Sequence, residues 1–284
     1  MAYQSGADHP QHAAPLVEAV NLTKTYGNTT VVNDVSLSVR RGETLGLVGE
    51  SGSGKSTVAR MILRLVEPTG GSVRFDGTDV LAAGKHDLRR MRRRMQMVFQ
   101  DPFAALNPRM RIRDIVAEPF HIQGGFSRSH IAERTSELLH EVGLDADVLG
   151  RYPHEFSGGQ RQRINIARAL ALKPEFLALD EPVSALDVSV GAQVINLLKE
   201  LQRKHGLTYL FISHSMPLVR YLCDRVAVME RGRLVETGPV LEVCEHPREA
   251  YTQRLIAATP EMPVERLAPP DGPATRGARV ATPL

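Results

Sequence analysis

The chain has 284 residues, of which 42% are hydrophobic and 24% charged, and a formal net charge of +3. It is long enough for one large domain or two small ones with a sizeable core, and its composition is that of an ordinary soluble globular protein. Mean hydropathy is −0.19 and the sequence pI about 9.0, which is too mildly basic to argue for nucleic acid, and no run approaches the roughly 18 apolar residues of a membrane span. Residues 1–14 are polar, without the basic and apolar regions of a secretion signal, so export by that route is not expected. The spacing then predicts a strand at Val31–Val39, a short strand buried on both faces at Thr44–Val48 and a helix from Lys55 to Leu65. Apolar runs at Met97–Phe99, Phe176–Leu179, Tyr209–Ile212 and Val226–Met229 read as further strands. Between Asp101 and Leu172 the pattern changes to helical spacing over Ile112–Phe120, Ser129–Val142 and Gly159–Leu172. Strands alternating with helices predict an α/β domain with a largely parallel sheet, interrupted by a helical insertion. Residues 259–284 carry six prolines and read, like residues 1–14, as a flexible tail.

Two cysteines, Cys223 and Cys244, exclude a disulfide framework and a Cys-only metal cluster; they read as reduced thiols of a cytosolic protein. The chemistry is announced by Gly49-Glu50-Ser51-Gly52-Ser53-Gly54-Lys55-Ser56, which matches the phosphate-binding pattern G-x-x-x-x-G-K-[ST] and is followed by Thr57. A buried strand before it and a helix after it supply the required context. Glycines let successive N–H groups face one anion, and the helix adds its positive end. Lys55 is expected at the β- and γ-phosphates and the Ser56 hydroxyl at Mg²⁺. The run Phe176–Leu179 ends in Asp180 and Glu181. Because side chains alternate along a strand, the two carboxylates should diverge, Asp180 toward the metal and Glu181 toward an attacking water, which it could deprotonate or orient. No Asn-Lys-x-Asp segment of the kind that reads guanine is found. The basic run Arg89–Arg94 could pose as a nucleotide-kinase lid, but it precedes a strand and reads better as a solvated helix face.

The segment His154-Glu155-Phe156-Ser157-Gly158-Gly159-Gln160-Arg161-Gln162-Arg163 narrows the class. It closely resembles the LSGGQ signature of ABC-transporter ATPase subunits, with Phe156 in the Leu position, and Ser157 is suited to cap a helix. Further motifs match in the family's order. Tyr26 resembles the aromatic residue that stacks on adenine. Gln100 resembles the glutamine that joins core to helical insertion and touches Mg²⁺ and the attacking water. Ser184-Ala185-Leu186-Asp187 resembles the loop that signals across a dimer, and His214 resembles the switch histidine at the γ-phosphate, although Ser215 replaces the usual Asp after it.

The resemblance covers residues 16 to 260 and implies a P-loop NTPase (RecA-like) core at 15–100 and 173–240, with an N-terminal antiparallel β region, a helical subdomain at 101–172 and a short C-terminal extension at 241–258. It implies ATP and Mg²⁺ as cofactors, and a head-to-tail pair in which each ATP lies between one subunit's P-loop and the other's signature. In such a pair the second ATPase subunit is an identical chain or a paralogue. Arg93–Pro102, Ala104–Met110, Glu181–Val190 and His246-Pro247 with Tyr251-Thr252 and Leu255 are most similar to the oligopeptide and dipeptide importers, and the Asn107-Pro108-Arg109-Met110 form to the second of their two ATPase subunits in particular. That branch implies two integral membrane permease subunits, an extracytoplasmic solute-binding protein and a peripheral position on the cytoplasmic side of the cell membrane. Other importer cargo such as nickel or glutathione, and a soluble ABC ATPase, remain as alternatives. With Cys244 alone in the C-terminal region, no iron–sulfur cluster is expected.

Overall fold

The computed structural model describes residues 14–258; the tails expected at residues 1–14 and 259–284 lie, apart from Ala14, outside the described residues. The chain begins with β1 (Val17–Tyr26) and β2 (Thr29–Val39), then β3 (Thr44–Val48), helix α1 (Lys55–Ile62), β4 (Gly70–Phe75) and the short β5 (Thr78–Asp79). Helix α2 (Lys85–Arg94) runs directly into β6 (Met95–Val98). The described residues between β6 and the next strand contain α3 (Pro102–Ala105), α4 (Ile112–Gln123), α5 (Arg128–Glu141), two short 3-10 turns and α6 (Gly158–Leu170), and no strand. Then follow β7 (Phe176–Asp180), α7 (Val188–His205), β8 (Thr208–Ser213), α8 (Met216–Leu222), β9 (Arg225–Glu230), β10 (Arg233–Pro239), α9 (Val240–Glu245) and α10 (Ala250–Ala257). No helix among the described residues is long and apolar enough to cross a membrane.

Two sheets organise these elements. A four-stranded antiparallel sheet has the order β2-β1-β4-β5, and a six-stranded sheet has the order β10-β9-β3-β8-β7-β6. In the larger sheet β9, β3, β8, β7 and β6 are parallel, and β10 closes the edge antiparallel to β9. The parallel strands are short runs such as Thr44-Leu45-Gly46-Leu47-Val48 because both faces are covered and every position can be apolar. Period-two alternation sorts their side chains: Tyr209 and Phe211 of β8 and Val226 and Val228 of β9 join the core beneath α4–α8, whereas Leu210, Ile212, Ala227 and Met229 join the core shared with α1 and the antiparallel sheet.

Four strands escape the sequence pattern for physical reasons, and one of them, β5, is only two residues long, too short to display any alternation. β1 is irregular: its register with β2 shifts between Ala19 and Leu22, where Asn21 takes φ +52°, so alternation is interrupted. β4 opens on Gly70-Gly71 and β10 ends in Gly238-Pro239, residue types that read as turns. The basic run also differs from expectation. Only part of it is a solvated face: the Arg89 guanidinium donates to the Ile122 carbonyl, Arg92 donates to the Arg64 carbonyl at 2.7 Å, and Arg94 bonds Glu175 at 2.5 Å and Asp76 at 2.6 Å. Arg41 bonds the same two carboxylates, so this four-residue network ties the start of β7 to the loop after β4.

Candidate functional site

Register aligns the carboxyl ends of the parallel strands. Val48 of β3 lies opposite Ser213 of β8, Asp180 of β7 opposite Ile212, and Val98 of β6 opposite Leu179. Four loops therefore leave one sheet edge at nearly one level, where open α/β sheets place their ligands. They are the glycine-rich loop after β3, the Gln100 loop after β6, the Glu181 loop after β7 and the His214 loop after β8.

The glycine-rich loop is tightly seated. Gly49 has φ +148°, and a Cβ there would lie 2.1 Å from the Met229 carbonyl oxygen, so no other residue fits this close approach to β9. The loop curls through Glu50, Ser51, Gly52, Ser53 and Gly54 into α1, which begins at Lys55 with Ser56 and Thr57 behind it. Ser53 donates its N–H to the Glu50 carbonyl at 3.2 Å. Lys55 is buried, and its Nζ donates to the carbonyls of Gly49 at 2.8 Å and Glu50 at 2.7 Å. Burial lowers the Lys55 pKa, an effect opposed by the nearby carboxylates of Glu181, Asp180 and Glu50. The ammonium is thus suspended among carbonyls at the start of the helix, where a polyanion is its natural counterion.

Asp180 is the last residue of β7 and is buried, accepting a hydrogen bond from the Ser56 hydroxyl at 2.7 Å. Burial raises its pKa; the Ser56 hydrogen bond and Arg60 oppose the shift. Arg60 approaches it at 3.9 Å. The sequence reading passed over Arg60, yet it lies one helical turn after Ser56 and so shares its face. Glu181 diverges from Asp180, but not by strand alternation as expected. It lies beyond the strand with φ +44°, an uncommon backbone conformation for a non-glycine residue, and this turn re-aims its side chain. Its carboxylate accepts a hydrogen bond from Gln100 Nε2 at 2.9 Å and lies 3.5 Å from His214 Nδ1. Ser215, where the resembled family carries Asp, immediately precedes α8 and donates its N–H to Ser213 Oγ at 3.0 Å. Its backbone is thus held locally, next to His214.

The remaining predicted residues stand apart from this group. Tyr26 ends β1 half exposed, with the Lys24 ammonium 4.8 Å from its ring centre. Ser157 caps α6: its hydroxyl accepts from the Gln160 N–H at 3.4 Å, and the Gln160 side chain accepts from the Ser157 N–H at 3.0 Å. The reciprocal pair sets the first turn of the helix with Ser157 and Gln160 exposed. Phe156 is buried, with the Arg151 guanidinium 4.4 Å from its ring centre. Gly158 faces Leu186, and a Cβ on Gly159 would sit 2.2 Å from Val190 Cγ1, so α6 meets α7 at close range. Asp187 caps α7, accepting from the Val190 N–H at 2.9 Å and from the Ser189 hydroxyl at 2.7 Å. Those bonds hold its carboxyl below the usual range. Among the described residues no hydrogen bond or ion pair joins Ser157–Gln160 to Lys55, Ser56, Asp180 or Glu181. The Gly159 packing predicts that Gly159→Val destabilises the chain by about 2–3 kcal/mol through overpacking. Denaturant titration checks this, and an unchanged midpoint would mean that α6 and α7 separate freely.

Sequence spacing alone leaves the other supports of the loop unseen, because they come from the far end of the chain. Gly232, in the turn between β9 and β10, donates to the Ser53 carbonyl at 3.0 Å, and Tyr251 of α10 accepts from the Glu50 N–H at 3.0 Å.

Comparison with known proteins places this geometry. The family described as ABC transporter matches residues 32–184. The oligopeptide transport ATP-binding protein of Bacillus subtilis is 53% identical over 236 residues, covering 82% of this chain and 77% of its own. The dipeptide transport ATP-binding protein of Lactococcus lactis is 50% identical over 253 residues, covering 86% and 81%. A dimeric ATP-binding cassette solved in a post-hydrolysis state with ADP and Pi superposes with a TM-score of 0.72 at 31% identity, over 79% of this chain and 98% of its own. With a strand-edge site of this construction and relatives this similar along most of its length, the chain belongs to the ABC transporter family, as an ATP-hydrolysing cassette.

Proposed function

We propose that the chain is the ATP-binding and ATP-hydrolysing subunit that energises import of di- and oligopeptides through an ABC transporter. The observation that carries the reading is the convergence of Lys55, the Ser56–Asp180 pair and the Gln100–Glu181–His214 group on one sheet edge. The peptide cargo rests on the relatives named for oligopeptide and dipeptide transport.

The roles follow from the chemistry. ATP's triphosphate lies along the glycine-rich loop Gly49–Gly54, with Lys55 neutralising the β- and γ-phosphates and Tyr26 stacking on adenine. Oxygen ligands 2.7 Å apart, the half-buried Ser56 hydroxyl and the buried Asp180 carboxylate, suit Mg²⁺, which takes one or two protein oxygens and completes its shell with phosphate and water. Ser56, Asp180 and Gln100 are the residues that would hold it, and when bound it would offset charge on the phosphates. Glu181 takes the proton of the attacking water. Gln100 donates to its Oε2 and leaves the other oxygen facing His214, so the carboxylate is oriented before substrate arrives. His214 then contacts the γ-phosphate. Ser157–Gln160, standing apart from their own chain's loop, cover the γ-phosphate of a partner's ATP, and Asp187 lies at the junction.

Each site is complete only in a pair, so the working unit is this chain with a second ATPase subunit, identical or paralogous, two membrane permease subunits and a solute-binding protein outside the cell. The chain lies peripherally on the cytoplasmic side. Helices α3–α6 form the helical subdomain that passes motion to the permeases. ATP binding favours the closed pair, and hydrolysis reopens it. Affinity purification of the tagged chain from solubilised membranes, followed by mass spectrometry, is expected to return integral membrane subunits and a second ATPase. A chain recovered with no membrane protein would overturn the assignment.

A further inference from the structure

We propose that Tyr251 of the C-terminal helix α10 is a positioning residue for ATP, fixing the peptide unit between Gly49 and Glu50 at the entrance of the phosphate-binding loop. This rests on the ATP-site reading above and deepens it.

One peptide unit is gripped at both polar ends. Its carbonyl, on Gly49, accepts from Lys55 Nζ at 2.8 Å, and its N–H, on Glu50, donates to the Tyr251 hydroxyl at 3.0 Å. Rotating that peptide would withdraw one of the two carbonyls that hold the Lys55 ammonium, the other being that of Glu50 at 2.7 Å, so the phenol oxygen helps to fix where the cation sits before phosphate arrives. The neighbouring contacts leave little else to do this job. Gly49 is pressed against the Met229 carbonyl, and the Ser53 carbonyl is held by Gly232. Both grip the loop, but neither touches the Glu50 N–H.

The phenol is itself on a fixed mount. Tyr251 is 7% exposed. The Arg254 guanidinium lies 6.0 Å from its ring centre and 3.9 Å from Glu230 at the end of β9. The Glu236 carboxylate of β10 accepts the N–H groups of Arg248 at 2.9 Å and Glu249 at 3.2 Å, pinning the entry to α10. A cleft of about 240 Å³ between Glu50–Ser53, Arg231 and the Tyr251–Arg254 face marks the seam where α10 meets the loop. Affinity for the nucleotide is therefore set partly by a residue 201 positions away from the loop it orders, through preorganisation rather than contact with phosphate.

The test uses the full chain as wild type, Tyr251→Phe, Gln253→Ala as an exposed control on the same helix, and Lys55→Ala, with ATP as the probe. Tyr251→Phe keeps the ring packing and removes one hydrogen-bond acceptor. It is expected to raise the ATP dissociation constant and KM roughly two- to tenfold, the worth of one hydrogen bond. kcat should change less than twofold and the melting temperature should hold, with Gln253→Ala matching wild type. Affinity equal to wild type would overturn the role of Tyr251, as would an equal loss in Gln253→Ala, a defect confined to kcat or a large fall in melting temperature. Failure of the wild-type chain to bind ATP, or normal binding by Lys55→Ala, would instead sink the site assignment beneath it.

Discussion

Glu181→Gln is expected to lower ATP turnover by about 10²- to 10⁴-fold, the usual contribution of a positioned general base, while ATP binding persists. The substitution is nearly isosteric, and its amide oxygen can still accept from Gln100 Nε2, so the loop geometry of the site is retained. What is lost is the capacity to take a proton from water. On the proposed cycle, in which hydrolysis reopens the pair, the variant should accumulate as an ATP-bound closed assembly. Size-exclusion chromatography with ATP, together with phosphate release, reads both effects. Turnover within threefold of wild type would remove Glu181 as the base and move attention to His214, 3.5 Å away.

Lys55→Ala is expected to weaken ATP binding by about 10²-fold or more, since charge-assisted hydrogen bonds contribute about 1.5–3 kcal/mol each and an ammonium reaching two phosphates makes at least two. The same change strips the donor from the Gly49 and Glu50 carbonyls, so the loop loses its internal strut as well as its cation. Removing a buried charge recovers some desolvation, and the fold is therefore expected to persist. Calorimetric titration with ATP and thermal melting separate the two effects. Near-wild-type affinity would sink the assignment of this loop and its lysine to the triphosphate.

How far these residues were legible depends on how local their chemistry is. The glycine-rich loop declares itself because eight consecutive residues carry the whole anion cradle, and the strand and helix around it have opposite periodicities. Asp180 and Glu181 were legible as a pair at a strand end, but the reason they diverge was not: a left-handed backbone at Glu181 leaves no mark in side-chain patterning. The Ser157–Gln160 cap is a short-range motif and the structure contains it as spaced. By contrast, Tyr251 and Gly232 reach the loop across most of the chain, and no periodicity reports such a contact. The strands missed were those in which a bulge, a glycine pair or a Gly-Pro end broke the alternation that a sequence can display, and the two-residue β5, too short to display any.

The strand order carries a cost during synthesis. β3 is buried along its whole length, and its partners in the described sheet are β8 and β9. Those partners emerge from the ribosome on the order of 160 residues later, which at ordinary elongation rates is roughly 8–30 s. Through that interval a strand destined for burial has neither edge paired, and the helices after β6 have time to form first. The nascent chain thus resembles an unfinished zip, with one central row of teeth made early and its matching teeth made last. Slow translation, or a shortage of chaperones that shield such segments, should reduce the yield of this subunit before any defect in catalysis is felt.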